Sequence, residues 1–319
     1  MPASTPPAFS RRDFLTAVGA AGVVACLPRQ LAAAPAAPAP TTIHAFAKPL
    51  QWLDYEALAS LYKETGYGGI DYAVRPGGHV LPERVADDLP RAVAAARQAG
   101  LQVEMITTAI LDPRDRHTEP ILQAAAAAGV KYYRLGSLGY DAGSPAETWK
   151  KFRPALRDLA AMNAQYGLHG AYQNHVGTHV GGPVLDLYNV LEGLDPRWIG
   201  CQYDIRHATA EGGTAWPIAL RLLAPWIRCT DIKDFHWAQS VGKASPETVP
   251  LGDGIVNFEQ YFKLVRELKI TGPMSVHFEY PPFERDIPKD PTERRRACAA
   301  AMRQDREVLA AMMAKYGVA

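Results

Sequence analysis

Short β-rich segments alternate with helical segments after residue 41, and this alternation restricts the fold more than any other feature of the sequence. The β-rich segments hold β-branched and aromatic residues between turn residues, which predicts strands at residues 42–47, 69–74, 102–110, 132–137, 169–175, 199–207, 227–235 and 273–280. Amphipathic periodicity predicts helices between or after them, at residues 82–99, 118–128, 147–166, 184–194, 216–226, 258–268 and 292–316. Strands separated by helices favour a parallel sheet.

Eight such repeats with no change of composition predict an α/β fold, the (β/α)8 TIM barrel, as a single domain over residues 41–319. Several predicted helices end at a glycine that suits the left-handed C-terminal cap, namely Gly100, Gly129 and Gly167. A doubly wound sheet is the alternative architecture. The first predicted strand lacks the G-x-G-x-x-G pattern that favours a dinucleotide site in that fold.

Residues 1–40 differ in composition from the rest of the chain. Arg11 and Arg12 precede a weakly apolar stretch at residues 16–27, which is shorter than the roughly 20 residues that a bilayer requires. An alanine-rich stretch then offers a cleavage site, so we expect a twin-arginine signal, a linker and export to the periplasm, with no membrane span. The sequence Val23-Val24-Ala25-Cys26 leaves a second possibility open, in which Cys26 is acylated and anchors the mature protein to a membrane.

Charge and cysteine content exclude several classes of protein. The 34 basic residues nearly balance the 33 acidic residues and form no basic run, which argues against a nucleic-acid partner. After cleavage the remaining cysteines would be Cys201, Cys229 and Cys298, an odd number at wide spacings. Such spacing is typical neither of a disulfide framework nor of a C-x-x-C zinc site.

Each predicted strand carries a polar or ionisable residue near its carboxyl end. The active site of a TIM barrel lies at that end of the strands, and buried charges are costly unless they are paired or bound to a cation. The sequence therefore predicts a polar site, and a bound cation is the expected compensation. The residues are His44, Asp71, Arg75, Glu104, Thr107, Arg134, Gln173, Asn174, His175, Asp204, His207, Asp231, Lys233, Asp234, His277 and Glu279.

Five motifs on predicted strands five to eight and their loops follow one another in a recognisable order. They are YQNH at 172–175, YDIRH at 203–207, DIKDF at 231–235, PLGDG at 250–254 and HFEY at 277–280. In this order the chain resembles the xylose isomerase-like barrel superfamily, whose members are commonly labelled sugar phosphate isomerases or epimerases. The resemblance covers residues 42–317.

The resemblance implies one divalent metal ion, held at the ends of strands five to eight. Carried over by position, the ligands are Gln173, Asp204, Asp231 and Glu279, with Gln173 and Asp231 standing where relatives have glutamate and histidine. A set rich in oxygen suits Mn²⁺, Mg²⁺ or Ca²⁺, whereas a contribution from His175 or His207 shifts the choice towards Mn²⁺, Co²⁺ or Zn²⁺. The alternative is that Asp204 and Glu279 cap loops or pair with arginines.

Other residues of the expected rim are assigned to catalysis or substrate binding. The resemblance places His207 near the substrate, and strand parity places Lys233 with Asp231 and His277 with Glu279. The expected catalytic residues are Glu279, His207, Lys233 and His175, and the expected substrate-binding residues are Arg134, His277, Trp237 and Glu104.

The chemistry that the resemblance implies is proton abstraction next to a carbonyl, with the metal stabilising the enediolate. No phosphate-binding loop is present, and exported members are linked to 3-keto-glycoside breakdown. We therefore expect isomerisation, epimerisation or elimination on an unphosphorylated keto-sugar or 3-keto-glycoside. Because Gln173 cannot act as a base, two-base epimerisation is disfavoured, and a non-catalytic periplasmic carbohydrate-binding protein is the alternative function. A DNA-repair nuclease is disfavoured, and the oligomeric state is left open.

Overall fold

A computed structural model describes residues 41–140, 144–240 and 243–318. Eight parallel strands close into a barrel, which confirms the predicted (β/α)8 fold. The expected export signal and the alternative lipid anchor at Cys26 lie outside the described residues. Within the described ranges, no helix has the length and apolar character needed to cross a membrane.

The barrel strands pair in the circular order β1-β10-β7-β6-β5-β4-β3-β2. Most of their residues are buried on both faces, as expected where helices cover a closed parallel barrel. Their bounds are β1 Ile43–Phe46, β2 Gly69–Val74, β3 Met105–Thr108, β4 Tyr132–Arg134, β5 His169–Gln173, β6 Ile199–Asp204, β7 Ile227–Ile232 and β10 Met274–Val276.

The α-helices are α1 Tyr55–Glu64, α2 Val85–Gln98, α3 Thr118–Ala127, α4 Pro145–Tyr166, α5 Asp186–Leu191, α6 Ile205–Gly212, α7 Trp216–Leu223, α8 Phe258–Glu267 and α9 Pro291–Tyr316. Acceptor side chains fix several helix starts: Asp54 caps α1, Asn257 caps α8 and Asp290 caps α9, each by accepting a backbone N–H three residues on. Gly167 ends α4 in the left-handed conformation, as its sequence position predicts.

Most barrel strands are shorter than the sequence predicts, and two of them illustrate this. The segment predicted over residues 199–207 leaves the sheet after Asp204, so that His207 lies in α6. The segment predicted over residues 102–110 pairs as β3 only from Met105 to Thr108. In each case the strand-like sequence pattern is longer than the segment that forms backbone hydrogen bonds with the neighbouring barrel strands.

An antiparallel hairpin follows β7 and was not predicted. It consists of β8 (Asp234–Ser240) and β9 (Lys243–Val249), and the predicted seventh strand extended into its first residues. The Asp234 carboxylate organises the base of the hairpin, because it accepts backbone N–H groups of Gly252 and Gly254 at 3.1 and 3.0 Å. A Cβ on Gly254 would lie 2.1 Å from Asp234 Oδ1, which explains the glycine in the PLGDG motif.

Candidate functional site

The carboxyl ends of β5, β6 and β7 bring polar side chains together in the barrel interior. Gln173 and Asp204 end β5 and β6, and Asp231 pairs in register with Asp204. Lys233 follows two residues after Asp231, and His277 and Glu279 are related in the same way beyond β10. The contacts described below show these six side chains in one cluster, as the parity of their strands predicts.

Asp204 uses its two carboxylate oxygens for different purposes. Oδ1 accepts the backbone N–H of His207 at 3.0 Å and thereby caps α6. Oδ2 lies 3.0 Å from Lys233 Nζ and 3.0 Å from Gln173 Nε2. Asn174 holds the backbone of Asp204 in place through two hydrogen bonds of 2.8 and 2.9 Å. Helix capping therefore fixes Oδ2 in the interior, where it faces the cluster.

Lys233 is a buried cation, with only 1% of its side chain exposed. Its Nζ lies 2.8 Å from His207 Nε2 and 3.5 Å from Glu279 Oε2, in addition to the contact with Asp204. A buried ammonium is stable only where partners replace its water shell. Lys233, which follows β7, thus contacts Asp204 at the end of β6 and Glu279 in the segment after β10.

The Gln173 side chain is a donor to the carboxylates. Arg134 Nη1 donates to Oε1 at 2.8 Å, so the amide NH₂ faces Asp204 and Asp231 and donates to Oδ2 of each. Arginine has no acceptor atom and an ionised carboxylate has no donor, so this amide orientation satisfies every partner. Gln173 was expected to offer its side-chain oxygen to a metal. In the structure that oxygen faces Arg134 instead. Arg134, expected to bind substrate, orients Gln173.

Asp231 and His277 form the base of the cluster. His277 Nε2 lies 3.1 Å from Asp231 Oδ1, and both side chains are buried. Burial opposes ionisation of Asp231, but His277 holds the pKa of Asp231 below its ordinary value. Burial likewise acts to lower the pKa of His277, yet the facing carboxylates raise it. Gln202, which the sequence analysis missed, donates to Asp231 Oδ1 at 2.7 Å.

A divalent metal fits one part of this cluster. Asp204, Asp231 and His277 each offer one ligand atom, and the three atoms lie within 4.8 Å of one another. His277 Nε2 lies 3.1 Å from Asp231 Oδ1, so a metal ion bound by both atoms would take the place of the proton between them. His277, expected to contact substrate, thus belongs with the candidate ligands, whereas Glu279 lies at their edge.

His207 and His175 lie beside Lys233. Their ring centroids lie 4.2 Å apart with the rings tilted by 37°, and Arg206 Nη1 lies 3.0 Å from His207 Nδ1. Burial, followed by the Lys233 charge, holds the pKa of His207 well below its ordinary value. Burial also lowers the pKa of His175. Both imidazoles are therefore neutral at pH 7.

Glu279 connects the cluster to solvent. Its side chain is 27% exposed, whereas Lys233, Asp204 and Asp231 are almost fully buried. Burial opposes its ionisation, but the Lys233 ammonium and then His277 hold the pKa of Glu279 well below its ordinary value. A cavity of about 420 Å³ adjoins it, lined by Arg206, Ala238, Ser245, Pro246, Glu247, Thr248, Glu279, Glu284 and Arg285. The hairpin supplies much of this polar wall.

Two expected substrate-binding residues lie apart from the cluster. Glu104 precedes β3 and pairs with Lys131 at 3.5 Å, and its backbone carbonyl accepts the N–H at the start of β4. It therefore lies at the amino-terminal end of the barrel, because β3 begins only at Met105, and its expected position is corrected. Trp237 lies on β8, exposes 40% of its surface and packs edge-on against Phe235.

Comparison with protein families supports the same fold. A model described as "Xylose isomerase-like TIM barrel" matches residues 59–309. Among curated proteins, an inosose dehydratase of Bacillus anthracis is 26% identical over 149 residues, which is 43% of this chain and 49% of that relative. The chain thus spans about half the length of the curated relatives it matches.

Solved structures align over most of the barrel. The structure of IOLI protein with a binding zinc atom has a TM-score of 0.67 at 16% identity, covering 86% of this chain and 99% of that chain. The apo form of 3-keto-D-glucoside 4-epimerase YcjR from E. coli has a TM-score of 0.60 at 16% identity, covering 82% and 98%. At these identities the likeness establishes the fold alone.

Proposed function

Because the chain belongs to the xylose isomerase-like TIM barrel family, we propose that it is an enzyme that isomerises, epimerises or cleaves a keto-sugar. The substrate class is an unphosphorylated keto-sugar or a 3-keto-glycoside, and the reaction begins with removal of a proton next to the carbonyl. The dehydratase and epimerase names among the similar proteins support this class of chemistry.

The observation that carries the proposal is the contact between Glu279 and Lys233. Glu279 is ionised at neutral pH, opens to the polar cavity and lies 3.5 Å from a buried ammonium. A carboxylate that is both ionised and accessible is suited to accept a proton from carbon, and a fixed cation beside it stabilises negative charge that develops on oxygen.

The chain's own residues divide the proton transfers. Glu279 accepts the proton as the C–H bond breaks, and the electron pair moves onto the carbonyl oxygen. Lys233, which contacts His207 and Glu279, provides the positive charge near that oxygen. In an elimination, the bond from the neighbouring carbon to the leaving oxygen then breaks, and the leaving oxygen takes the proton that Glu279 removed. In an isomerisation, Glu279 returns the proton to the former carbonyl carbon, and the hydroxyl proton of the neighbouring carbon passes to the former carbonyl oxygen.

Metal dependence is part of the proposal. Asp204, Asp231 and His277 would hold the divalent ion, with Glu279 beside them. When bound, the ion supplies Lewis-acid polarisation of the carbonyl. Whether the metal is Mn²⁺, Mg²⁺, Co²⁺ or Zn²⁺ is a matter for direct metal analysis of the purified protein.

The experiment that tests the function is incubation of the purified protein with 3-keto-glucosides and with free ketoses, with and without chelator. We expect conversion of at least one substrate, followed by chromatography, and loss of conversion after chelation. Absence of turnover of every substrate in the presence of each of the four ions would contradict the proposal.

A carbohydrate-binding protein without catalysis is the second candidate. The placement of Gln173 favours it, because an amide that donates to Asp204 and Asp231 cannot remove a proton. Sugar binding by calorimetry that is indifferent to chelator, without turnover, would support this alternative.

We also propose that residues 1–40 direct twin-arginine export to the periplasm, on the basis of Arg11, Arg12 and the short apolar stretch. Cell fractionation and mass determination of the mature amino terminus test this. A lysine pair in place of Arg11 and Arg12 should retain the protein in the cytoplasm, and acylation at Cys26 would appear as added lipid mass.

A further inference from the structure

Lys233 lies where a cation shared by Asp204 and Glu279 would lie. Its Nζ is 3.0 Å from Asp204 Oδ2 and 3.5 Å from Glu279 Oε2, in a position that is 1% exposed. We propose that Lys233 is a resident counter-cation that competes with a divalent metal ion for these carboxylates. The metal ion binds only when the ammonium leaves Asp204.

The hydrogen bonds around Asp204 Oδ2 support this competition. The oxygen already faces Lys233 Nζ and Gln173 Nε2 at 3.0 Å each, and His207 Nε2 lies 3.4 Å away. A carboxylate oxygen has two lone pairs, and the Lys233 and Gln173 donors occupy both, which leaves no free position for a metal ion. Asp204 is nevertheless one of the three residues that fit a metal, so a metal ion and the ammonium need the same atom.

The charges around the cluster lead to the same conclusion. The carboxylates of Asp204 and Glu279 contact the Lys233 ammonium, and Asp231 pairs with His277. The Arg134 and Arg206 guanidiniums reach the cluster through Gln173 and His207. These cations already offset the buried negative charge. A dication placed beside a retained ammonium in this low-dielectric interior would be strongly repelled. Charge balance in this cluster therefore does not require a metal ion.

The inference rests on the metal site of the proposed function, and its test measures binding instead of turnover. Mn²⁺ is titrated calorimetrically into the wild-type protein, Lys233→Met and the control Lys131→Met. Lys131 is an exposed lysine that pairs with Glu104 at the other end of the barrel. We expect Lys233→Met to bind Mn²⁺ at least tenfold more tightly than the wild type, and Lys131→Met to bind as the wild type does.

Equal or weaker Mn²⁺ binding by Lys233→Met, including no binding by any of the three proteins, overturns the inference. Thermal unfolding gives a second readout: Lys233→Met should unfold at a lower temperature in chelator and gain more from added Mn²⁺ than the wild type does. If the methionine variant does not fold, Lys233→Gln replaces it with the same expectations. The two failures are distinguishable. If the wild type shows no turnover but Lys233→Met binds Mn²⁺ more tightly than the wild type does, the proposed function is contradicted and this inference is retained.

Discussion

Asp71 and Asp231 are both fully buried in one barrel, yet their surroundings are opposite. Asp71 on β2 accepts hydrogen bonds from the hydroxyls of Thr107 and Ser275 at 3.0 Å each, whereas Asp231 on β7 lies 3.1 Å from His277. Burial raises the pKa of Asp71 to about 6. Burial acts on Asp231 in the same direction, but the charge of His277 reverses the shift. Neutral donors are enough to bury a carboxylate, and charged partners are needed to hold it ionised in mild acid.

The largest expected effect is on kcat/KM, and it comes from replacing a carboxylate by an amide in the charged cluster, at Glu279. The same replacement at Asp71, which accepts from hydroxyls, is the matched control. Glu279→Gln should reduce kcat/KM for a 3-keto-glucoside by about 1000-fold, because the ionised base is lost. Asp71→Asn, the same change of carboxylate to amide, should reduce it less than about tenfold. Initial rates measured by chromatography give both values. Equal losses in the two variants would show that catalysis does not depend on the charged cluster.

The second prediction adds a charge to the cluster. Gln173→Glu turns a donor to Asp204 and Asp231 into a further carboxylate, so the metal-free protein should lose about 3 kcal/mol of unfolding free energy. Mn²⁺ should restore much of this loss. Urea unfolding in chelator and in Mn²⁺ measures both effects. Gln102→Glu, on an exposed residue outside the cluster, is the matched control and should change little. Stability of Gln173→Glu equal to that of the wild type in chelator would contradict this assignment.

The sequence predicted the charged cluster better than its surroundings. Strand parity grouped Lys233 with Asp231 and His277 with Glu279, because side chains two residues apart on a strand share a face. Parity is a local property, and the structure preserves it. The end of the barrel on which Glu104 lies depends instead on where β3 begins to pair, which is a long-range property of the closed sheet.

The hairpin β8–β9 was missed for a related reason. Pro246 interrupts the strand pattern of β9, and a proline within a run argues against a strand unless the strand lies at an edge. Only tertiary contacts, such as the Arg206 Nη2 hydrogen bond to the Pro246 carbonyl at 2.9 Å, show that this segment lies beside Glu279. The role of Gln173 as donor was equally beyond a sequence pattern, because it follows from the position of Arg134.

The third prediction uses pH to sharpen the comparison. The folded protein binds the Asp71 proton more tightly than the unfolded chain does, since the pKa is about 6 against an ordinary value of 3.8. This group therefore removes stability as pH rises from about 4 to about 6, by about 3 kcal/mol. Asp71→Asn should lack this decrease. Urea unfolding at pH 4 and pH 7 compares the two proteins, and parallel profiles would contradict the assigned pKa.

The smallest expected effect lies at the amino-terminal end of the barrel. Glu104→Gln removes one partner of an ion pair in which the lysine is largely exposed, so the unfolding free energy should change by less than about 0.5 kcal/mol. Turnover should be unchanged, because Glu104 lies away from Glu279 and Lys233. A tenfold loss of kcat/KM in this variant would restore Glu104 to the substrate site and remove the distinction between the two ends.

The hairpin forms a sheet of its own outside the closed barrel, beside Glu279. The barrel strands pair in a closed circle without β8 and β9, and Arg206 joins α6 to β9 through Pro246 and Thr248. Mutations in the hairpin thus reshape the entrance beside Glu279 while the strands that carry the reacting groups keep their pairing. A protein engineer seeking a new sugar specificity would diversify this segment first and hold Arg206 constant.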